Sequence, residues 1–343
     1  MKSFLSFLIV CAFSIFSLQA AILTVDNNTN SAGQYTDLQT AFNAASPGDT
    51  IHIIGSQAPY LQARLEKRLT LIGAGYNSPN QFNFSTTITT LYLSESLPNN
   101  ASGSVIMGCN IATLSWWVNS DYDNITIERC NISSLLTMRP NACSGWLIQN
   151  NIVNAINVGD NGAVVIRNNI IRHQILNSDE GTVLITNNVF TKNFTTPYFS
   201  NVSAAMITNN IFYQGGGPTG CTSSTFNNNI TYATSNNTLP YGTNTGSANM
   251  VGSNPLFNNV TGMGFDYAND YRLASNSPGL NAGTDGTDIG IYGNTQPFPI
   301  GGAAPFLTSA NPRVPQIMEL NLLNATIFQG DSLTVQVKAR KQN

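Results

Sequence analysis

The chain has 343 residues, of which only 9% are charged, with a formal net charge of -3 and a pI near 5.3. A typical soluble domain carries about 25% charged residues, and so little positive charge excludes a broad basic surface for nucleic acid. Asn, Thr and Ser supply the polarity instead; these and Gly are mediocre or poor helix formers, which excludes a mainly helical protein and suits sheets with many tight turns.

In chain order, residues 1–20 read as a secretory signal peptide. Lys2 gives the basic end, Phe4 to Phe16 the apolar stretch, and Ser17 to Ala20 a short exit ending in a small residue. The apolar run is shorter than the ~20 residues a membrane span needs, and no later run is longer. The expectation is a protein of the cell exterior, cell surface or periplasm, with no membrane span after signal cleavage. Thr36-Asp37-Leu38-Gln39 resembles a capping box and predicts a short helix through Ala45. Pro47-Gly48-Asp49 then turns the chain into a first strand, Thr50 to Ile54.

A repeat follows. Ile148-Gln149-Asn150-Asn151-Ile152-Val153 recurs as Ile166 to Ile171, Ile185 to Phe190 and Ile207 to Phe212. Ile106 leads to Cys109, and Ile127 to Cys130, with the same spacing, and a weaker copy runs from Phe226 to Asn229. Upstream, Ile53, Leu71 and Ile88 are expected to hold the leading position. Successive leading residues are roughly 17 to 22 apart, one coil of a solenoid. The column two residues earlier, from Ser104 through Trp146 and Val164 to Ser224, is mostly apolar and should face inward with it. The pattern predicts an all-β, single-stranded parallel β-helix of about ten coils, a rod near 50 Å long at ~4.8 Å per coil. The Asn column, Asn151 through Asn229, is expected both to supply positive φ at each bend and to stack its amides from coil to coil. Cys109 and Cys130 share that column on adjacent coils, so a Cys109–Cys130 disulfide is possible, with stacked free thiols as the alternative.

Residues 21–300 are thus read as one β-helix domain with its cap and closing region, and 301–343 as a β-strand tail around Leu333, Val335 and Val337. The segment from Tyr35 to Ser56, YTDLQTAFNAASPGDTIHIIGS, and the following KRLTLIGAG resemble the start of secreted right-handed parallel β-helix proteins of the pectate-lyase-like superfamily. The segment from Asn254 to Gly293, NPLFNN through DYRLASNSPGLNAGTDGTDIGIYG, is similar to the closing region of bacterial members. This resemblance implies a right-handed coil and a polysaccharide or cell-surface glycan as partner, but fold does not fix activity. The superfamily's lyase run R-x-P-x-x-R is not matched by Arg313-Val314-Pro315, because Met318 stands at the second Arg position. The paired carboxylates and Gly-His-Gly of the galacturonan hydrolases are absent as well, since neither His52 nor His173 is flanked by glycines.

Several residues are nevertheless candidates. Glu128, Gln149 and Arg167 fall in one outward column on three successive coils and could hydrogen-bond a sugar chain, or form an ordinary solvated face. Asp160, Asp179 and Glu180 precede consecutive strands and could hold Ca²⁺ or serve as plain turn residues. With Arg167, Arg172 and His173 they are the catalytic candidates if the protein is an enzyme. Trp116 and Trp117 suit sugar stacking or burial. A second outward column, Val105, Leu147, Val165, Leu184 and Met206, is apolar and should be covered, most economically by the tail strand around Leu333. Two functions follow: a monomeric β-helix protein binding polysaccharide along one face, or a polysaccharide lyase or glycoside hydrolase acting on acidic or plant-type glycans.

Overall fold

The computed structural model describes residues 20–298 except 30, 32, 78–83, 119, 139–142, 160–161 and 179–181, together with the strands Gln316–Leu322 and Val335–Arg340. The signal segment up to residue 19, Leu333, and the turn carboxylates Asp160, Asp179 and Glu180 lie outside the described residues.

Short strands stack in parallel register into one ten-stranded and one eleven-stranded sheet. The chain visits them alternately: Val164–Arg167 lies in the first sheet, Ile170–Ser178 in the second, and Val183–Thr186 back in the first. This is a parallel β-solenoid. In the first sheet the inward column runs from Leu71 through Ile106, Ile127, Ile148, Ile166, Ile185 and Ile207 to Phe226, every member fully buried. The preceding column, Ser104 to Ser224, is buried too. Two upstream assignments are corrected: Ile51, not Ile53, pairs with Leu71, and Ile88 lies in the second sheet opposite Ile111. The long excursion between Leu71 and Ile106 hides the period there.

Strands of the second sheet bend. Ile170 and Ile171 pair with Val189 and Phe190, whereas Ile175 and Leu176 pair with Phe199 and Ser200. The register shifts between Ile132 and Leu135 and between Val153 and Ala155, so the sheet has two facets meeting at a bend.

The corner between the sheets divides the two roles assigned above to one Asn. The positive φ belongs to the first residue of each pair: Asn150, Asn168, Asn187, Asn209 and Asn228 lie between 52° and 58°. The second residue carries the buried ladder. Asn151 Nδ2 donates to Asn169 Oδ1 at 3.0 Å and to Ile127 O at 2.9 Å, and the pattern repeats through Asn188, Asn210 and Asn229 to Asn249. Each coil thereby satisfies a polar group the next coil buries. At the head of the ladder, Cys130 N–H donates to Asn151 Oδ1 at 2.9 Å. Cys109 and Cys130 are free thiols in this structure, not a disulfide: their sulfurs donate to Met107 O at 3.4 Å and Glu128 O at 3.3 Å.

Just after the ladder, Ile152, Ile170, Val189, Ile211 and Ile230 point outward yet are buried, in a second apolar cluster with Tyr271, Ile289, Ile291 and Phe298. The segment 281–294 runs back along the rod to cover them, held by the outer Asn column. Asn228 Nδ2 donates to Ala282 O, Asn209 Nδ2 to Thr284 Oγ1, Asn187 Nδ2 to Asp288 O and Asn168 Nδ2 to Ile291 O. The apolar column expected to need cover is a different one. Val105, Leu147, Val165 and Leu184 are half-buried and Met206 is 54% exposed. The tail strand Val335–Arg340 pairs antiparallel with Gln316–Leu322.

The helix Leu38–Ala44 caps the first coil, burying Leu38, Ala41 and Phe42 in the main core. Its N-cap is Asp37, whose carboxylate accepts from Thr40 N–H at 2.8 Å. The capping box starting at Thr36 is therefore not formed. Gln39 instead reaches the neighbouring strand, accepting from Arg64 N–H at 2.7 Å.

Candidate functional site

Two polar arrangements lie on opposite sheets. On the first sheet, Glu128, Gln149 and Arg167 stand directly opposite one another on successive strands. Gln149 Nε2 donates to Glu128 Oε2 at 2.8 Å, while Arg167 donates through Nε and Nη2 to Gln149 Oε1 at 3.0 and 2.8 Å. Burial lowers the Arg167 pKa and the Glu128 charge opposes that shift. The ladder is real, and its members largely satisfy one another.

The second arrangement is a cleft of about 260 Å³ at the bend of the second sheet, lined by Ser133, Asn154, Arg172, Lys192, Asn193 and Phe194 and closed by Met263, Gly264 and Phe265. The bend makes it: where a strand changes facet, Asn154 and Arg172 leave the ladder register and project into the corner. Arg172 Nη2 donates to Asn131 Oδ1 and Ile132 O, both at 3.4 Å, and Nε is buried without a partner. Burial lowers the Arg172 pKa, but a guanidinium stays charged at neutral pH. Lys192 is buried, and its Nζ donates to His173 O, Thr196 Oγ1 and Pro197 O at 3.1, 3.2 and 2.9 Å. Burial pulls its pKa down to about 8. Its charge is therefore fixed beside the cleft while its N–H groups are occupied. His173 stands 5.0 Å from the Phe194 ring, and burial, then the Lys192 charge, lowers its pKa. Among the described residues, no carboxylate lines this cleft.

Of the residues expected from sequence, the structure brings Arg172 and His173 together at the bend and places Arg167 on the other sheet. Trp116 packs partly buried against the core, whereas Trp117 is 42% exposed. Lys192, Phe194 and Phe265 were missed because they lie outside the repeat. The available signal was rarity: a lone Lys and a Phe just past a repeat copy, in a chain so poor in charge. Among the described residues no group of three or more His, Cys, Asp or Glu is placed to hold a metal ion. Compared with models of known protein families and with curated proteins, the chain matches none.

Proposed function

We propose that this protein is a secreted β-helix rod of the pectate-lyase-like type that binds an acidic polysaccharide at the bend of its second sheet. The observation that carries this reading is the composition of the cleft. Two cations, Arg172 and Lys192, stand beside aromatic and amide side chains, and among the described residues no carboxylate lines the cleft to neutralise them. A guanidinium whose Nη2 makes only long contacts, at 3.4 Å, is suited to a carboxylate, which a guanidinium can bind through two parallel hydrogen bonds. Phe194, 39% exposed, and Phe265 offer apolar ring faces for the sugar. Such a ligand lies outside the cell, in keeping with the signal-like first twenty residues. Calcium at the turn carboxylates Asp160, Asp179 and Glu180 would be a further contact for the same kind of chain.

The test is retention on immobilised polygalacturonate and alginate against neutral glucan, at two salt concentrations. Salt-sensitive retention on the uronates that Arg172→Ala removes supports the reading. Equal retention on neutral glucan, or retention unchanged by Arg172→Ala, sinks it.

A further inference from the structure

A second cleft, of about 410 Å³, opens between the capping helix and the strand Ala63–Leu65 and is lined by Gln39, Asn43, Gln62, Arg64 and Glu66. Gln39 forms a fixed floor: its Nε2 donates to Asn43 Oδ1 and Arg64 O at 3.1 and 3.2 Å. The Arg64 guanidinium lies over the ring of Trp117, 3.7 Å from its centroid, and Tyr92 meets the same ring edge-on at 5.0 Å. Stacking fixes the plane of a guanidinium but leaves its in-plane N–H donors available. Here they stay uncommitted. Neither the Arg64 guanidinium nor the Glu66 carboxylate makes a hydrogen bond or ion pair among the described residues, although both line one cleft. The first-sheet ladder behaves in the opposite way, with Glu128 and Arg167 both bonded to Gln149.

We propose that this cleft is a saccharide site for a neutral, hydroxyl-rich sugar unit. An open carboxylate accepts and a preset guanidinium donates, which together match adjacent sugar hydroxyls. The half-exposed Trp117 supplies an apolar edge, and Glu66 repels a uronate. The site goes beyond the Arg172 cleft and does not depend on it. Both open on the outer side of the second sheet, and the strands bearing Arg64 and Arg172 are five strand spacings apart, about 24 Å. The four strands between them, Thr87–Leu93, Asn110–Trp116, Asn131–Thr137 and Ile152–Asn157, carry no charged residue. A polysaccharide with both acidic and neutral units could therefore engage both clefts by crossing the bend, since the Arg64 register runs through Tyr92, Ser115 and Asn157 to Leu176, four residues past Arg172.

The experiment follows the Trp117 indole N–H resonance of the full chain, assigned with Trp117→Phe, during titration with neutral gluco-, xylo- and manno-oligosaccharides. At least one should shift that resonance saturably, with the same affinity in Arg172→Ala. Arg64→Ala and Glu66→Gln should each weaken it at least about tenfold, the loss of a charged hydrogen bond. No shift with any of the three series overturns the proposal, as does affinity unchanged by both substitutions. Uronate retention by Arg172 is read separately, so either cleft can fail alone.

Discussion

Asn169 sends two hydrogen bonds to one atom: its backbone N–H and its side-chain Nδ2 reach Asn188 Oδ1 at 2.9 and 3.1 Å. Asn188 in turn donates to Ile166 O at 2.9 Å and Asn210 Oδ1 at 3.0 Å. One amide thus serves three successive coils, all of it buried. Asn188→Ala would strand several of these groups, each costing about 1–3 kcal/mol when left unsatisfied. A loss of roughly 3 kcal/mol or more is expected by chemical denaturation. Asn168→Gly keeps the positive-φ turn and removes the bonds donated to Ile291 O and Gly293 O and the one accepted from Asn294 Nδ2 at 2.6 Å, so about 2 kcal/mol is expected. Equal losses for the two variants would contradict the division of labour between neighbouring asparagines.

Arg172→Ala should lower polyuronate affinity at least about tenfold, and Arg172→Lys should recover only part, because an ammonium lacks the planar fork. The double variant Glu128→Ala with Arg167→Ala removes charges that already satisfy each other through Gln149, and should leave uronate retention unchanged while lowering the denaturation midpoint. Direct comparison by calorimetric titration checks both.

The cleft should weaken in alkali. Burial brings the Lys192 pKa from 10.5 down to about 8, so its charge is lost as pH rises through that value. His173, lowered from 6.5, is already neutral there, Arg172 stays charged, and Tyr267 is raised above 10.0. Uronate affinity should fall between about pH 7 and pH 9, and Lys192→Met should flatten that profile. The stability contribution has the opposite sign. Between the folded and unfolded pKa values the unfolded chain binds more protons, so this group makes the fold more stable as pH rises through the window.

The cysteines should resist reagents. Cys109 has its thiol pKa raised by its hydrogen bond with Cys130 and by burial, and burial likewise raises that of Cys221. The thiolate is the reactive form. Iodoacetamide should therefore label neither in the native protein and both after denaturation; rapid native labelling of Cys109 would contradict its sealed position. Because the folded pKa values are raised, these thiols favour the fold below the unfolded thiol pKa and lose that contribution as pH climbs past it.

The rod was legible because its leading inward column recurs at a nearly constant interval from Ile106 to Phe226 and holds only Ile or Phe there. Asn150-Asn151 and its copies were visible as pairs, but sequence could not divide strained backbone from buried amide, since Asn suits both. The covered stripe was misassigned for a related reason. Ile152 and Leu147 are both outward and apolar, and only the path of segment 281–294 decides which column it seals. Arg172 and His173 stood out in the sequence, yet their separation from Arg167 depends on a bend that breaks the period. Lys192 and Phe265 come together through chain segments far apart in sequence, which no repeat encodes.

The strap formed by residues 281–294 makes closure of the rod depend on sequence far from the coils it covers. Its anchors, Asn168, Asn187, Asn209 and Asn228, all precede it in the chain, by 54 to 123 residues. A chain that ends at residue 250 would possess the coils and still present Ile152, Ile170, Val189, Ile211 and Ile230 as a bare greasy ridge. Each coil added lengthens that ridge, and only the returning segment closes it. The outer face of the rod is thus closed by sequence that comes after every coil, as with a seam that holds nothing until it is sewn.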